Sequence, residues 1–298
     1  MTSQVGAAVT LICCTYNQER YVQAAVESVL KQDLEPREII FSDDASTDKT
    51  FKILESVVAG YRGTASIRVL RNEHNMGIIP HVNKLMELVK GEFVIAFAGD
   101  DVSDPQRARL LADCWERSGR SACSIFTNAM VIDESGTELG PYYAHAPVFS
   151  RSVQDFISGV PCWVGGFSHG WSTELFRKFG PITKDTFQED GAIAFRALLN
   201  GGIHYLDQVT MRYRRHDANS YDLRNRRKFK LLHASELGLL RGRKADLLAS
   251  NSLDAADRLA LTARLDRQHR RKTWLVKTPG LLDALFLLKW MKARLVGR

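Results

Sequence analysis

The 298-residue chain has no apolar run near the ~20 residues that a bilayer-spanning helix requires. Residues 9–14 are apolar, but Tyr16, Asn17, Gln18, Glu19 and Arg20 follow at once, so no early stretch reads as a signal peptide. Cysteine is scarce and odd in number. The five residues include no Cys-x-x-Cys spacing, which argues against a disulfide framework or a zinc site and suits a reducing compartment. A cytoplasmic location is therefore expected. The Gly-x-Gly-x-x-Gly fingerprint and the Walker A phosphate loop are both missing, which disfavours a dinucleotide-binding Rossmann enzyme or a P-loop NTPase. No internal repeat or low-complexity tract occurs.

What is present is an ordinary globular composition, 45% apolar and 25% charged, in a chain long enough to bury a full core. The charge is uneven. From Arg224 onward nineteen Lys and Arg face six acids, so that segment carries +13 while residues 1–223 sum to −6. An acidic body and a basic tail need separate explanations.

Apolar periodicity predicts strands at 9–14, 38–41, 66–70 and 93–97, alternating with helices at 19–31, from Ser46 or Thr47 through about 59, at 78–89 and at 105–117. This rhythm predicts an α/β fold with a doubly wound, mainly parallel sheet. Beyond Arg120 it changes. A strand at 124–132 ends in the turn Asp133-Glu134-Ser135-Gly136, and residues 137–170 read as irregular. Helices at 172–179 and 190–200 follow, then short strands at 203–206 and 209–214. From Arg224 the pattern is helical, broken only at Pro279-Gly280.

Parallel sheets bind ligands at the carboxyl ends of their strands. Polar clusters sit at four such ends: Thr15-Tyr16-Asn17, Asp43-Asp44, Arg71-Asn72 and Asp100-Asp101. The last pair places two like charges where a buried strand emerges, which costs free energy unless a cation compensates. One reading is a solvated turn with Ser103 or Asp104 capping the helix at Pro105. The other is a site for Mg²⁺ or Mn²⁺, whose hard oxygen ligands bridge to a diphosphate. An ionised Asp after the second strand can accept from a uracil N3–H or a ribose hydroxyl, and Arg71 adds positive charge for the diphosphate.

The stretches VTLICCTYNQERYVQAAVESVLKQ, EIIFSDDASTDKT, VLRNEHNMGIIPHVNKLM and GEFVIAFAGDDVSDPQRARLL occur in order and together resemble the successive signatures of family 2 glycosyltransferases. The resemblance covers about residues 7–220. It implies a GT-A-type nucleotide-binding sandwich, a nucleotide-diphospho-sugar donor, a divalent metal and an inverting transfer. It would place Thr15, Asp44 and Asp43 at the base, Arg71 at the base or phosphate, Asp100 at the ribose or metal shell, and Asp101 on the metal. Tyr16, Asn17, Glu19, Asn75, Gly77 and Arg215 complete the expected donor side. Many relatives read Asp-Ala-Asp-Asp where this chain has Ala98-Gly99-Asp100-Asp101, so the first carboxylate is missing.

Inversion needs a general base for the acceptor hydroxyl. TFQEDGAIAFRALLNGG resembles the family's Glu-Asp motif, which makes Asp190 the expected base and Glu189 its neighbour or an acceptor-binding group; acids that merely complement a helix dipole, worth ~0.3–1 kcal/mol, are the alternative. YRRHDANSY resembles a late family segment, in which His216 would ligate the metal or touch the diphosphate while Arg214 or Arg215 neutralises the leaving group. His81 and His169 receive no special role. Acceptor selection is expected in the irregular segment, where Trp163, Trp171, Tyr142, Tyr143 and Phe167 with Gly165 and Gly166 build either an aromatic platform or part of the core.

The division expected is a transferase domain over 1–223, with a nucleotide-sugar half (7–120) and an acceptor half (121–223), and a helical basic tail over 224–298. Leu281, Leu282, Leu285, Phe286, Leu288, Trp290 and Met291 mix there with Lys289, Lys292, Arg294 and Arg298. This reads as an amphipathic helix for an anionic membrane surface through 274–298, at the inner face of the cytoplasmic membrane. A helix docked on the body or on a second subunit is the alternative, and nucleic acid is not the expected partner. The acceptor would be a saccharide or lipid-linked saccharide of surface polysaccharide assembly. A non-catalytic sugar-nucleotide-binding protein, or a nucleotidyltransferase using the same two acids, remains a rival reading.

Overall fold

The computed structural model describes residues 6–121, 123–186, 188–217 and 226–296. Asn219, Ser220 and Arg298 lie outside the described residues, as do the side chains of Trp290, Met291, Lys292 and Arg294.

The apolar run Val9–Thr15 forms strand β1, buried on both faces, and its neighbours are the equally buried Glu38–Asp43 (β2) and the apolar Phe93–Ala98 (β4). Ser66–Arg71 (β3) closes the parallel edge. Between these strands run helices α1 (Val22–Leu30), α2 (Thr50–Ala59) and α3 (Ile78–Leu88). The second half adds β5 (Val102–Ser103), α4 (Arg107–Arg117), β6 (Ser124–Ile132), β7 (Glu138–Pro141), α5 (Val153–Ser158), β8 (Gly170–Ser172), α6 (Glu174–Phe179), α7 (Asp190–Leu198) and β9 (Ile203–Arg214). One nine-stranded sheet results, in the order β3-β2-β1-β4-β8-β6-β9-β5 with β7 paired to β6. The mainly parallel mixed sheet read from the sequence is present. The β1–β2–β3 and β1–β4 pairs are parallel, so the chain reverses direction across the sheet between β1 and β4, which is where such folds hold ligands.

Two buried clusters line the two faces. Val22, Val26, Leu54, Leu111 and Trp115 cover one, with α1, α2 and α4. Ile79, Leu85, Phe126, Trp171, Ile193 and Phe195 cover the other, with α3 and α7.

Several local expectations are corrected. Ser46 and Thr47 do not cap α2: Ser46 donates its amide and hydroxyl to Asp43, and the helix starts later, where Asp48 Oδ1 accepts the Thr50 amide at 2.9 Å. Ser103 belongs to β5 and α4 begins at Arg107, so neither Ser103 nor Asp104 is its side-chain cap. The two short strands at 203–214 are one strand, because Asp207 and Gln208 bulge out between the pairs Thr127–Leu206 and Asn128–Val209. Within 137–170, helix α5 forms behind a capping box in which Ser152 and Asp155 exchange hydrogen bonds.

The basic segment forms α8 (Arg226–Ala249), α9 (Ala255–Lys277) and α10 (Pro279–Val296). It breaks a second time at 250–254, where Asp254 Oδ1 accepts from the Asp257 amide (2.8 Å) and caps α9. Leu240, Leu247, Leu261 and Leu265 are buried in the same cluster as Ile193 and Phe195, so α8 and α9 dock on the body. No helix among the described residues is long and apolar enough to cross a membrane.

A buried ion pair ties α8 to α7. Arg196 Nε and Nη2 meet Asp246 at 3.0 and 3.1 Å, and Nη1 donates to the Gly180 carbonyl at 2.7 Å. Burial pushes the Asp246 carboxyl up although Arg196 opposes the shift, so desolvation outweighs the pairing. Asp246→Ala, which strands Arg196 in the core, is expected to cost about 3–5 kcal/mol in urea unfolding, while an Arg196→Met/Asp246→Leu double variant recovers most of that loss.

Candidate functional site

Strand register brings the site together. Arg71 pairs with Asp43, Asp43 with Thr15, and Cys14 with Ala98, so four strand ends stop in one row. A side chain at Gly99 would collide with Thr15 and Gln18, within 2.7 and 2.5 Å of a Cβ, so the turn into Asp100 needs glycine for close approach. The loops are cross-stitched. Asn17, at a left-handed φ of 50°, donates its amide to Ser46 Oγ and accepts from the Thr47 amide, each at 2.9 Å, and Glu19 Oε2 accepts from the Lys49 amide at 3.0 Å. Tyr16 stands 43% exposed above them.

Asp43 and Asp44 are both buried. Asp43 accepts from Thr15 Oγ1 (3.1 Å) and from Ser46, and lies 3.6 Å from Arg71 Nε. Arg71 also donates to the Ser46 carbonyl and lies over the Phe51 ring. Asp44 accepts from Asn72 Nδ2 (2.8 Å) and from the Met76 (3.0 Å) and Gly77 (2.9 Å) amides. It therefore shapes the 72–77 loop, where Gly77 has a φ of 80° and shares its amide with Asn75 Oδ1.

Asp101 is buried at the next strand end. Its Oδ1 accepts the Arg214 amide at 2.8 Å, and burial together with Asp100 pushes its carboxyl well above the usual range. Asp100 Oδ2 lies 3.0 Å from His216 Nε2. Arg214 clamps the turn from outside, donating to the Asp100, Asp133 and Glu134 carbonyls. Two hard carboxylates and an imidazole are donor types that Mn²⁺ or Mg²⁺ accepts, and the load on Asp101 is one that a cation relieves. Among the described residues no three His, Cys, Asp or Glu groups stand gathered around one point.

The Glu189–Asp190 pair opens α7 and keeps partial solvent access. Both carboxyls are raised, Glu189 by burial and by Asp190, Asp190 chiefly by burial; Asp190 Oδ1 accepts the Gly191 amide (2.6 Å), and the Arg243 cation opposes its shift. The two pairs act on a common set of neighbours. The Cys14 thiol at the β1 end, pushed to about 12 by burial, feels both Glu189 and Asp44. The Tyr142 hydroxyl feels Arg215 and Asp190, while that of Tyr213 feels Asp101, Tyr142 and Asp100.

Aromatics fill the space beside Asp190. Tyr142 packs on Phe167 (4.5 Å between centroids), Tyr143 (4.8 Å) and Tyr213 (5.6 Å), and Trp163 packs on Tyr143 (5.8 Å). Trp171 is a correction: it lies in β8, wholly buried against His169, and cannot face the cleft. Gly165 leaves room for the Tyr143 hydroxyl, and Gly166 for Asp190, whose Oδ2 would stand 2.9 Å from a Cβ there. His81 and His169 are buried against Ser42 and Ser124. A separate hollow of about 660 Å³ lined by Gln23, Glu27, Tyr61 and Arg62 contains none of the site residues; the convergence of ionisable groups favours the cleft.

Two buried arginines escaped the sequence reading. Arg107, wholly buried, donates to Ser103 Oγ (3.0 Å) and the Ala96 carbonyl (2.7 Å) and sits close enough to Asp101 to lower its carboxyl. Arg243 does the same for Asp190. The readable signal was a cation on an apolar stripe: Arg107 with Leu111 and Trp115, Arg243 with Leu240 and Leu247.

A parallel half with an aligned row of polar strand ends, joined to a mixed half carrying a carboxylate pair, is the GT-A architecture of glycosyltransferases. Residues 10–161 match the family described as Glycosyl transferase family 2, and the chain belongs to that family. It is 31% identical over 131 residues to EpsE of Bacillus subtilis (strain 168), covering 44% of this chain and 46% of that one. To a chondroitin synthase of Escherichia coli it is 29% identical over 143 residues, covering 48% of this chain and 20% of the other. The matches thus span less than half of either relative. Among solved structures, S. aureus TarS 1-349 in complex with UDP superposes with a TM-score of 0.60 at 18% identity, covering 87% of this chain and 71% of that one. The mannosyltransferase PcManGT from Pyrobaculum calidifontis, in complex with GDP-Man and Mn²⁺, gives 0.54 at 18% identity, covering 95% and 87%. These two likenesses establish the fold.

Gly166→Ala is expected to push the Asp190 carboxylate aside. If Asp190 has a chemical role, turnover of a sugar nucleotide falls at least ~10-fold with little change in melting temperature.

Proposed function

We propose that the protein is an inverting glycosyltransferase, moving a sugar from a UDP- or dTDP-sugar to a hydroxyl of a saccharide or lipid-linked saccharide in surface polysaccharide assembly. The carrying observation is the raised Asp190 carboxylate, set beside an aromatic cluster in the cleft that holds the row of polar strand ends. The complexes of TarS with UDP and UDP-GlcNAc, and of PcManGT with GDP-Man and Mn²⁺, support a nucleotide-sugar donor and a divalent cation here.

In this reading Thr15, Tyr16, Asn17, Glu19, Asp43, Asp44, Arg71, Asn75 and Gly77 shape the base and ribose pocket. A divalent cation held by Asp101, with Asp100 and His216 alongside, would supply positive charge to the donor diphosphate. Tyr142, Tyr143, Trp163 and Phe167 offer ring faces to an acceptor sugar. Asp190 takes the acceptor proton as the hydroxyl oxygen bonds to the anomeric carbon. The bond to the diphosphate breaks on the opposite face, and Arg215 stabilises the departing charge. The domain division is part of the proposal: a donor half over 7–120, an acceptor half over 121–223, and the helices from 224 as an extension.

The extension also offers a membrane contact. Trp274, Leu287 and Leu288 are 62%, 54% and 52% exposed in a segment carrying +13, which complements the anionic inner leaflet.

Asp190→Asn is expected to cut transfer by ~10²–10⁴-fold while leaving sugar-nucleotide binding, read by thermal shift with and without Mn²⁺, nearly unchanged. Because the base works ionised and its acidity is weakened, the wild-type kcat/KM rises with pH through a value above the ~4 of a free Asp. Unaltered turnover in the variant would remove the base assignment; absence of any nucleotide-sugar binding would remove the function. The raised carboxyl also costs stability once ionised, so the variant should melt no lower than wild type at pH 8, with any advantage vanishing below about pH 4. Vesicles of phosphatidylglycerol should float the full chain at low salt, and phosphatidylcholine vesicles should not. Equal behaviour with both lipids rejects the membrane contact.

A further inference from the structure

The basic C-terminal segment reaches the base. Arg243 of α8 is 7% exposed, and its Nη2 donates to the carbonyls of Cys162 (2.8 Å) and Gly191 (3.0 Å). Gly191 follows Asp190 in the first turn of α7, and Cys162 precedes Trp163 in the acceptor segment. One guanidinium nitrogen therefore joins the helix of the base to the wall beside it. The group lies 5.3 and 5.6 Å from the centroids of Phe195 and Phe156, so little water screens it. Gly191 permits the approach of α8: a Cβ there would stand 3.2 Å from Leu239 and 3.7 Å from Arg243 Nη2.

We propose that Arg243 is a positioning residue for Asp190, its guanidinium holding Gly191 and Cys162 in register and keeping a cation next to the residue that follows the base. This rests on the reading of Asp190 as general base. Other groups that bear on the pair are Glu189 beside Asp190, Tyr143 and Tyr142 from the acceptor segment, Asp246 on α8 and Arg264 on α9. Arg264 lies 4.3 Å above the Phe156 ring, and Asp246 is held by Arg196, which leaves Arg243 as the cation acting directly on Asp190. The sign follows from charge: removing Arg243 favours the protonated base and weakens transfer most at low pH.

The test compares Arg243→Gln and Arg243→Met, both neutral, with Arg243→Lys, which keeps the charge. Met packs on the two phenylalanines, so it serves should Gln prove unfolded. In full-length protein with ¹³C-labelled carboxyls, Asp190 (assigned through Asp190→Asn) should titrate about one pH unit higher in the neutral variants, which is tenfold in the ionisation equilibrium. The acid limb of kcat/KM should move up with it, while Arg243→Lys stays near wild type and donor binding is unchanged in all. An unmoved Asp190 midpoint in a folded neutral variant overturns the proposal. A midpoint that moves in a protein that transfers no sugar leaves the electrostatic link standing and removes the transferase reading instead.

Discussion

Ionised carboxylates beside one another, half out of water, are unstable unless fixed positive charge lies close by. Three such pairs occur at the site: Asp43–Asp44 is held by hydrogen bonds and by the half-exposed Arg71, whereas Asp100–Asp101 and Glu189–Asp190 are each answered by a buried arginine. Arg107 acts on Asp101 and Arg243 on Asp190. Both are pinned by backbone carbonyls, so their charge cannot swing away to solvent. The opposition is incomplete, since Asp101 and Asp190 remain raised. A carboxylate with residual excess charge suits one site to a cation and the other to a proton.

The rest of the architecture serves that placement. Strand register delivers Thr15, Asp43 and Arg71 as a row, while bare backbone at Gly99 and Gly166 lets side chains crowd where a Cβ would block them. Asp43 and Asp44 direct their hydrogen bonds to the loops around them, so this row of strand ends is preorganised.

Much of this was legible. Strands β1, β2, β4 and β6 were readable as apolar stretches because they are largely buried on both faces, and β3, at the half-exposed edge, from its Ile67, Val69 and Leu70. Helix α5 was missed although Ser152 and Asp155 carry its capping signature, since the Gly, Pro and aromatic residues around it pointed to loop. Trp171 was misplaced because an aromatic in irregular sequence gives no sign of whether it faces a cleft or a sheet. The pairing of β8 with β4 and β6 puts Trp171 inside the sheet. The roles of Arg107 and Arg243 depend on contacts 11 and 81 residues away along the chain, which no local pattern encodes.

The hydrophobic cluster that contains Ile12 and Ile40 of the sheet also contains Leu261 and Leu265 of α9. The match to the family ends at residue 161, whereas the cluster runs on into α9. Any chimera spliced at the similarity boundary would inherit half of a core and none of the helices that close it.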